Sequence, residues 1–234
     1  MIKNILNLGD AALYCDFGSD VNQEINSNVI KYFYHIKKLN LKGITNLTPS
    51  YNKLIISYDL NIHSFLSLKK KIENIEIKEN NKLEKNLIEI PVCCDNNFAL
   101  DIKRVENKLK LKSEIILEKF FSKNYFCYMT GFVAGMPFLG DLNQEMRLKR
   151  LETPRVKVPK GSVGITEQFC NIYSFETPGG WNILGNTPQN IFDSSNQSKP
   201  NLVNPGDTIK FYRITLDQYN DCLLYTSDAA DEST

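Results

Sequence analysis

Apolar and polar positions alternate in two different ways along the chain, and the first 75 residues show strand and helix patterns in turn. Residues 11–17 (AALYCDF) predict a strand, and apolar positions from Val21 to Ile36 recur at helical spacing, with Asp20 as the predicted N-cap. The segments ITNL and KLIISYD then predict a hairpin, and residues 62–75 predict a second helix. This order predicts a small sheet with helices packed on one of its faces.

The pattern changes after residues 76–86 (EIKENNKLEKN), which are almost entirely polar. The apolar run LIEIPVCC follows directly, and two short helices are predicted at 101–111 and 113–121, each opening on a residue that favours helix caps. From Tyr125 onward, short segments rich in β-branched and aromatic residues are interrupted by turns, which is typical of a β-barrel or a β-sandwich. The predicted strands are IEIPV, NYFCYMTGFV, RVKVP, SVGI, NIYSF, WNILG and DTIKFYRI.

These patterns predict an α+β chain with two domains, an N-terminal α/β domain over residues 1–86 and a β-rich domain over residues 87–221. Residues 222–234 (CLLYTSDAADEST) depart from the strand pattern and from the composition of everything before them. This stretch of residues resembles the translation of a sequencing adapter at the end of an open reading frame from fragmentary DNA. We therefore expect a non-native or disordered tail there.

Composition argues against several classes of function. The chain has 28 Lys and Arg residues against 27 Asp and Glu, a formal net charge of +1, so no global charge supports binding to nucleic acid or to an acidic membrane. Its start fits neither a signal peptide nor a transmembrane helix, which predicts a cytoplasmic protein. Six cysteines without a CxxC pattern, and only two histidines, predict reduced and buried thiols and no metal site.

Glycine and proline are concentrated in residues 130–188, which also contain the single tryptophan of the chain, Trp181. The segments PKGSVGI and TPGGWNILG place small residues beside strands, and such loops can present backbone N–H groups to a carboxylate or a phosphate. Arg155 is the candidate for a bidentate contact to that anion, and Gly180 is expected to need a positive φ. Two alternatives stay open from the residues alone: the glycines serve only the turns of a barrel, and Trp181 serves only as a core anchor.

Common catalytic and nucleotide-binding motifs are absent from the sequence. Ser162 lies in GSVG, which is not the GxSxG of a nucleophile elbow, and the two histidines, His35 and His63, both belong to the first predicted domain. Neither a P-loop nor a glycine-rich dinucleotide fingerprint is present. The remaining chemistry is the recognition of an anion by loops.

Three segments of the second domain form a combined pattern: GFVAGMPFLGDL, TPRVKVPKGSVGI and NIYSFETPGGWNILGNTP. In this order they resemble the allophanate hydrolase subunit 1 family (carboxyltransferase domain, subdomains C and D), whose members include the B subunits of 5-oxoprolinases and Kip-type inhibitors of a sporulation histidine kinase. The resemblance runs from Gly9 to Asp221. It implies a small N-terminal α/β sandwich domain followed by a cyclophilin-like β-barrel domain.

The resemblance also implies work in a complex, an ATP-dependent 5-oxoprolinase that converts 5-oxo-L-proline to L-glutamate. The implied partners are an allophanate hydrolase subunit 2-type protein, which is the C subunit of the complex, and a third protein, its A subunit. The implied co-substrate is ATP with Mg²⁺. Activation of the amide carbonyl by phosphorylation, followed by attack of water, needs anion-stabilising donors more than a protein nucleophile. Two alternative roles follow from the same relatives: non-catalytic inhibition of a sensor histidine kinase, and an allophanate hydrolase or urea carboxylase type module.

Residues that match the family pattern are the candidates for the site. Arg155 is the expected catalytic anion contact. The residues expected to bind substrate or anion are Gly161, Ser162, Gly164, Pro178, Gly179, Gly180 and Trp181. The chain departs from the family pattern at Phe120, where relatives commonly have histidine, at Ala134, where they have proline, and at Asn186, where they have arginine.

Overall fold

The computed structural model describes residues 1–77 and 86–231, and it describes side chains in the last helix as far as Leu224. The chain forms two compact units, Met1–Lys85 and Asn86–Thr234, each with its own hydrophobic core. The polar segment at which we placed the domain boundary falls mostly on residues 78–85, outside the described residues. The predicted fold class is confirmed, because the chain combines a small unit of helices and sheet with a β-barrel unit.

The first unit is a four-stranded antiparallel sheet with two helices. Its elements are β1 (Asn4–Leu8), β2 (Ala12–Asp16), α1 (Gln23–Leu39), β3 (Ile44–Pro49), β4 (Lys53–Tyr58) and α2 (Phe65–Glu73), with the strands in the order β1-β2-β4-β3. Alternation along β2 and β4 buries every second side chain, so that Leu13 and Ile56 share one core with Val29 and Leu68 of the helices. The predicted hairpin of β3 and β4 is confirmed, whereas β1 was not predicted.

The N-cap of α1 is Asn22, so the prediction of Asp20 is wrong. The Asn22 side chain accepts a hydrogen bond from the Ile25 backbone N–H at 2.9 Å, which satisfies one of the free donors at the helix start. Asp20 belongs to the preceding loop, where its carbonyl accepts a hydrogen bond from the Asn52 amide at 3.2 Å. That contact explains why residue 20 stays outside the helix.

The second unit contains seven barrel strands and a separate ribbon of two strands. The barrel strands are β5 (Leu87–Cys93), β6 (Asn124–Thr130), β7 (Pro137–Gly140), β9 (Ser162–Thr166), β10 (Phe169–Ile172), β12 (Asn182–Asn186) and β13 (Thr208–Ile214), and the ribbon consists of β8 (Arg155–Val158) and β11 (Thr177–Gly179). The barrel closes in the order β10-β7-β6-β13-β5-β12-β9. Its neighbouring strands are antiparallel except for β5 and β13, which run parallel.

Three α-helices and one short 3₁₀ helix complete the described part of this unit: α3 (Ile102–Leu109), α4 (Ser113–Phe121), α5 (Leu216–Asp231) and the 3₁₀ helix Gln144–Met146. The predicted cap at Ser113 is wrong, because Ser113 is the first helical residue of α4 and Lys112 occupies the N-cap. Helix α5 extends into residues 222–234, whose non-native origin stays a prediction. Within the two described ranges of the chain, no helix is both long and apolar enough to cross a membrane.

Side chains of β10 and the residues after it enter two different clusters. Cys170 and Ile172 belong to the core inside the barrel. Tyr173 belongs to a second cluster, which we call the outer cluster and which consists of Met136, Val158, Tyr173, Trp181 and Ile183. Because Val158 lies in β8, the ribbon packs on the barrel through this cluster, and most predicted site residues lie around it.

Candidate anion-binding site

One group of predicted site residues surrounds the outer cluster. Arg155 lies opposite Gly179 in the ribbon, and the exposed Pro178 precedes Gly179. Trp181 is only 5% exposed, and Gly164 of β9 lies directly against it. The interpretation of Trp181 as a core anchor therefore describes its packing, although its ring also contacts a guanidinium group, as described below.

The other group lies where β9 begins. Gly161 has a φ of +81°, and its backbone N–H donates to the Tyr173 carbonyl at 2.7 Å. A Cβ at this position would lie 2.4 Å from the Thr187 carbonyl, so glycine is required both by φ and by space. Ser162 is 2% exposed, and its carbonyl accepts a hydrogen bond from the Tyr173 N–H at 2.9 Å. These contacts show a tightly closed turn, and an anion-binding role for Gly161 and Ser162 stays a prediction.

Asn186, at the position of the family's arginine, joins this turn to the last helix. Its Nδ2 donates to the Lys160 carbonyl at 2.8 Å, and its Oδ1 accepts a hydrogen bond from the Tyr219 hydroxyl at 2.8 Å. Asn186 is 4% exposed, so both of its amide atoms are satisfied within the protein. Asn186 therefore forms a structural hydrogen-bond bridge between β12, the Lys160 turn and α5.

Arg155 is already bound within the protein. Its Nη1 and Nη2 donate to the Asp101 carboxylate at 2.9 and 2.6 Å, and the Asp101 side chain is 4% exposed. Asp101 stands at the N-cap of α3 but makes no side-chain cap bond there; its Oδ2 instead accepts from the Ile183 N–H at 2.7 Å. The role of Arg155 in binding an external anion stays a prediction, and Asp101, which the sequence suggested only as a helix cap, is a partner that the prediction missed.

Two further arginines lie beside the segment that follows Gly180. Arg104 of α3 donates a hydrogen bond to the Asn182 side-chain oxygen. The guanidinium carbon of Arg150 lies 5.8 Å from the centroid of the Trp181 ring, within the range of a cation–π contact. Arg104, Arg150 and Arg155 thus meet around Trp181 and Asn182, a positive cluster that no spacing pattern in the sequence revealed.

Two neutral polar side chains, Tyr173 and Asn171, lie close to these arginines and to Trp181. Burial raises the pKa of Tyr173, and the nearby Asn171 amide, the Trp181 backbone and the guanidinium groups of Arg150 and Arg155 offset part of the rise. Asn171 itself is fully buried, and neither its Nδ2 nor its Oδ1 has a well-formed hydrogen-bond partner in the described part of the chain. The amide nevertheless interacts with the Tyr173 side chain, which helps to offset the rise in the Tyr173 pKa, whereas no partner is found for its Oδ1 in the described residues. A buried amide oxygen without a partner is uncommon in a protein interior, and it marks this place as a candidate for ligand recognition.

Two of the family glycines are required by these polar groups, and a third is not. A Cβ at Gly179 would lie 2.2 Å from the Tyr173 hydroxyl oxygen, and a Cβ at Gly164 would lie 2.9 Å from the Asn171 Oδ1. Gly180 does not have a positive φ, and a Cβ there would meet its nearest neighbour at 3.6 Å, which is ordinary contact. The expectation of a positive φ at Gly180 is therefore wrong.

Four of the cysteine thiols are made less acidic by burial, the opposite of an activated nucleophile. Burial raises the pKa of Cys15 and of Cys94 to about 12, and burial raises the pKa of Cys127 and Cys170 as well. Within the described residues, no disulfide joins any of the cysteines. Among residues 1–77 and 86–231, no group of three or more His, Cys, Asp or Glu side chains is placed to hold a metal ion.

The class of protein to which this barrel belongs is given by similarity of sequence. Residues 3–203 match the family of the carboxyltransferase domain, subdomain C and D, and the chain belongs to this family. The chain is 32% identical over 228 residues to the 5-oxoprolinase B subunit of Bacillus subtilis, across 92% of this chain and 95% of that protein. It is also 42% identical over 124 residues to the 5-oxoprolinase B subunit of Haemophilus influenzae, across 53% of this chain and 58% of that protein.

Solved structures share the fold. TTHA0988 matches with a TM-score of 0.78 and 28% identity, over 87% of this chain and 40% of that chain. This chain therefore spans less than half of that longer protein. PH0987 from Pyrococcus horikoshii matches with a TM-score of 0.54 and 33% identity, over 92% of this chain and 100% of that chain. The Kluyveromyces lactis urea carboxylase matches at 0.73 with 16% identity, over 93% of this chain and 22% of that one, a likeness of fold alone.

Proposed function

We propose that this chain is one component of an ATP-dependent 5-oxoprolinase, a hydrolase that opens a cyclic amide and converts 5-oxo-L-proline to L-glutamate. The observation that carries the proposal is its similarity to the 5-oxoprolinase B subunit of Bacillus subtilis, because 32% identity extends over 95% of that protein. These relatives are named as one lettered subunit of an enzyme, which supports a complex of several different proteins.

The chemistry of this reaction suits the groups that the barrel unit presents. Transfer of the γ-phosphoryl group of ATP to the lactam oxygen releases ADP and activates the lactam carbon. Attack of water on that carbon then breaks the C–N bond and releases inorganic phosphate, and both the substrate and the phosphorylated species are anions. Such a reaction depends on positively charged and N–H donors held in place, and Arg104 and Arg150 lie beside the Trp181 segment, with Arg155 paired to Asp101. The reaction does not require a serine or cysteine nucleophile from this chain.

The partners in this proposal are an allophanate hydrolase subunit 2-type protein, as the C subunit, and a third protein, as the A subunit. ATP with Mg²⁺ is the co-substrate of the assembled complex, and Mg²⁺ is expected to arrive with the phosphates of the nucleotide, as it does in many ATP-dependent enzymes. Arg155, Gly161, Ser162, Gly164, Pro178, Gly179, Gly180 and Trp181 remain the proposed site residues, with Arg155 held by Asp101.

The test is reconstitution. This chain is produced together with the products of neighbouring genes for the A and C subunits, and ADP and L-glutamate are measured with and without 5-oxo-L-proline. We expect ATP hydrolysis that depends on 5-oxo-L-proline and on the presence of this chain. Equal hydrolysis when this chain is left out, or none with any combination of the three proteins, would contradict the proposal.

A second candidate is an allophanate hydrolase or urea carboxylase type module. The chain is 21% identical to the urea amidolyase of Saccharomyces cerevisiae over 238 residues, across 88% of this chain and 13% of that protein. Urea-dependent ATP hydrolysis by this chain with a biotin-dependent partner, in place of activity on 5-oxo-L-proline, would favour it. Inhibition of a sensor histidine kinase stays a prediction that no described contact favours.

A further inference from the structure

Arg155 is poorly placed to exchange its partner for a substrate. Both of its terminal nitrogens are bound to Asp101, whose carboxylate is 4% exposed and also accepts a hydrogen bond from the Ile183 N–H. Turning the guanidinium group toward an external anion would leave a buried carboxylate without its counter-ion, which is strongly unfavourable. Arg155 therefore holds β8 against α3 and β12, and another cation is needed for the ligand.

Arg150 has the free donors that Arg155 lacks. It is exposed, and among the residues that the structure describes no carboxylate forms a salt bridge with it. Its guanidinium group is held near the Trp181 ring, at 5.8 Å from the centroid. A cation–π contact uses the charge of the guanidinium group but none of its N–H donors, so the planar fork is oriented and still able to bind an anion.

The surroundings of Arg150 are suited to a small molecule that carries both a carboxylate and an amide. The Tyr173 hydroxyl and the Asn171 amide both lie close to Trp181 and interact with each other, and the Asn171 Oδ1 has no well-formed hydrogen-bond partner in the described residues. A lactam presents one N–H donor, which an amide oxygen can accept, and one carbonyl acceptor, to which a tyrosine hydroxyl can donate. Gly179 and Gly164 let the backbone approach the Tyr173 hydroxyl and the Asn171 amide closely.

From this arrangement we propose that Arg150 binds the carboxylate of a small lactam substrate beside the Trp181 ring, with the Asn171 amide and Tyr173 hydroxyl close to the lactam, and that Arg155 is a positioning residue. This inference rests on the proposed function and names the side chain that selects the substrate. A phosphate group of the nucleotide has similar chemistry, so the experiment separates the two anions.

The first measurement is steady-state kinetics of the reconstituted complex with Arg150→Gln and Arg150→Lys. We expect Arg150→Gln to raise the KM for 5-oxo-L-proline by about tenfold or more, the usual loss for a charge-assisted hydrogen bond, and to leave the KM for ATP unchanged. Arg150→Lys keeps the charge without the fork and should lie in between. The matched control is Arg147→Gln, an exposed arginine whose Nε donates to the Leu142 carbonyl and whose loss should leave both KM values unchanged.

The second measurement does not depend on turnover. Trp181 is the only tryptophan, so its fluorescence in the full chain reports binding at this place. Titration with 5-oxo-L-proline should give a saturable change in the wild type that is lost in Arg150→Gln, and 2-pyrrolidinone, which lacks the carboxylate, should give none.

Each outcome decides between the hypotheses. A KM for ATP that rises while that for 5-oxo-L-proline is unchanged would assign Arg150 to a phosphate and overturn the inference. The inference would also be overturned if Arg150→Gln left both KM values unchanged. A titration of the wild type that shows no saturable change would overturn it as well, even if the complex is active. An inactive complex whose titration still depends on Arg150 and on the carboxylate would refute the proposed function and support the site.

Discussion

Arg155 and Asp101 form a two-pronged ion pair, with nitrogen to oxygen distances of 2.9 and 2.6 Å, between the first residue of β8 and the N-cap of α3. The same carboxylate accepts from the Ile183 N–H at 2.7 Å, and the Asp101 N–H donates to the Ile183 carbonyl at 3.0 Å. One buried carboxylate therefore joins the ribbon, a helix and a barrel strand. The segment from Gly180 to Asn182 lies between two of these joined elements, so the pair fixes the backbone that carries Trp181.

Asp101→Ala should destabilise the barrel unit by about 3 kcal/mol, because it leaves the Ile183 N–H without its acceptor and Arg155 without its counter-ion. Urea unfolding followed by Trp181 fluorescence measures this, since the only tryptophan lies in the barrel unit. The double variant Asp101→Ala with Arg155→Ala should lose less free energy of unfolding than the two single variants lose in sum.

The matched control for this pair is the salt bridge of Lys157 and Glu176, whose side chains are 75% and 53% exposed and which lies in the same part of the chain. Lys157→Ala should leave the unfolding midpoint unchanged, because solvent screens an exposed pair. Equal losses in the Asp101 and Lys157 variants would show that the Asp101 pair has no special structural role.

Gly179→Ala should destabilise the barrel unit by about 1 to 3 kcal/mol, because its Cβ would lie 2.2 Å from the Tyr173 hydroxyl oxygen. Gly180→Ala is the control, since its Cβ would meet its nearest neighbour at 3.6 Å. Combining Gly179→Ala with Tyr173→Phe removes the oxygen that clashes and should recover part of the loss. Thermal unfolding of the wild type and the three variants measures these effects, and similar losses for Gly179→Ala and Gly180→Ala would contradict the steric account.

Local patterns in the sequence predicted the hairpin of β3 and β4 and the positions of α3 and α4, because each depends on residues within a few positions of one another. The contacts of the candidate site could not be predicted in this way. Asp101 and Arg155 are 54 residues apart and meet only when the barrel closes, and Asp101 looks like an ordinary cap in the sequence.

The strand predicted at NIYSF shows the same limit. The strand ends at Ile172, and Tyr173 contributes its ring to the outer cluster. The Ser174 hydroxyl donates to the Ala134 carbonyl at 2.6 Å, a contact between residues 40 positions apart. Tertiary packing outside the barrel, which no local alternation encodes, decides where this strand ends.

Tyr219→Phe should destabilise the barrel unit by about 1 kcal/mol, because it removes the hydroxyl that donates to the buried Asn186 Oδ1 at 2.8 Å. Asn186→Ala removes this hydrogen bond and the one to the Lys160 carbonyl, so it should lower the free energy of unfolding by more than Tyr219→Phe does. Thermal unfolding midpoints of the two variants measure this difference.

A chain that ends after Asp221 retains Tyr219 and should keep the unfolding midpoint of the wild type. A large decrease in the midpoint would contradict the prediction that residues 222–234 are a non-native tail.

Buried thiols should make the barrel unit less stable at high pH. Burial raises the pKa of Cys94 from the ordinary 9.0 to about 12. Between these values the native state keeps a proton that the unfolded chain releases, so the stability present below pH 9 is lost as the pH rises toward 12. One such group contributes a slope of at most about 1.4 kcal/mol per pH unit. The measurement is the urea midpoint at pH 7, 9 and 10 in the wild type and in Cys94→Ala. The alanine variant should show the smaller decline with pH, whatever its stability at pH 7, and parallel declines would show that Cys94 ionises in the native state as it does in the unfolded chain.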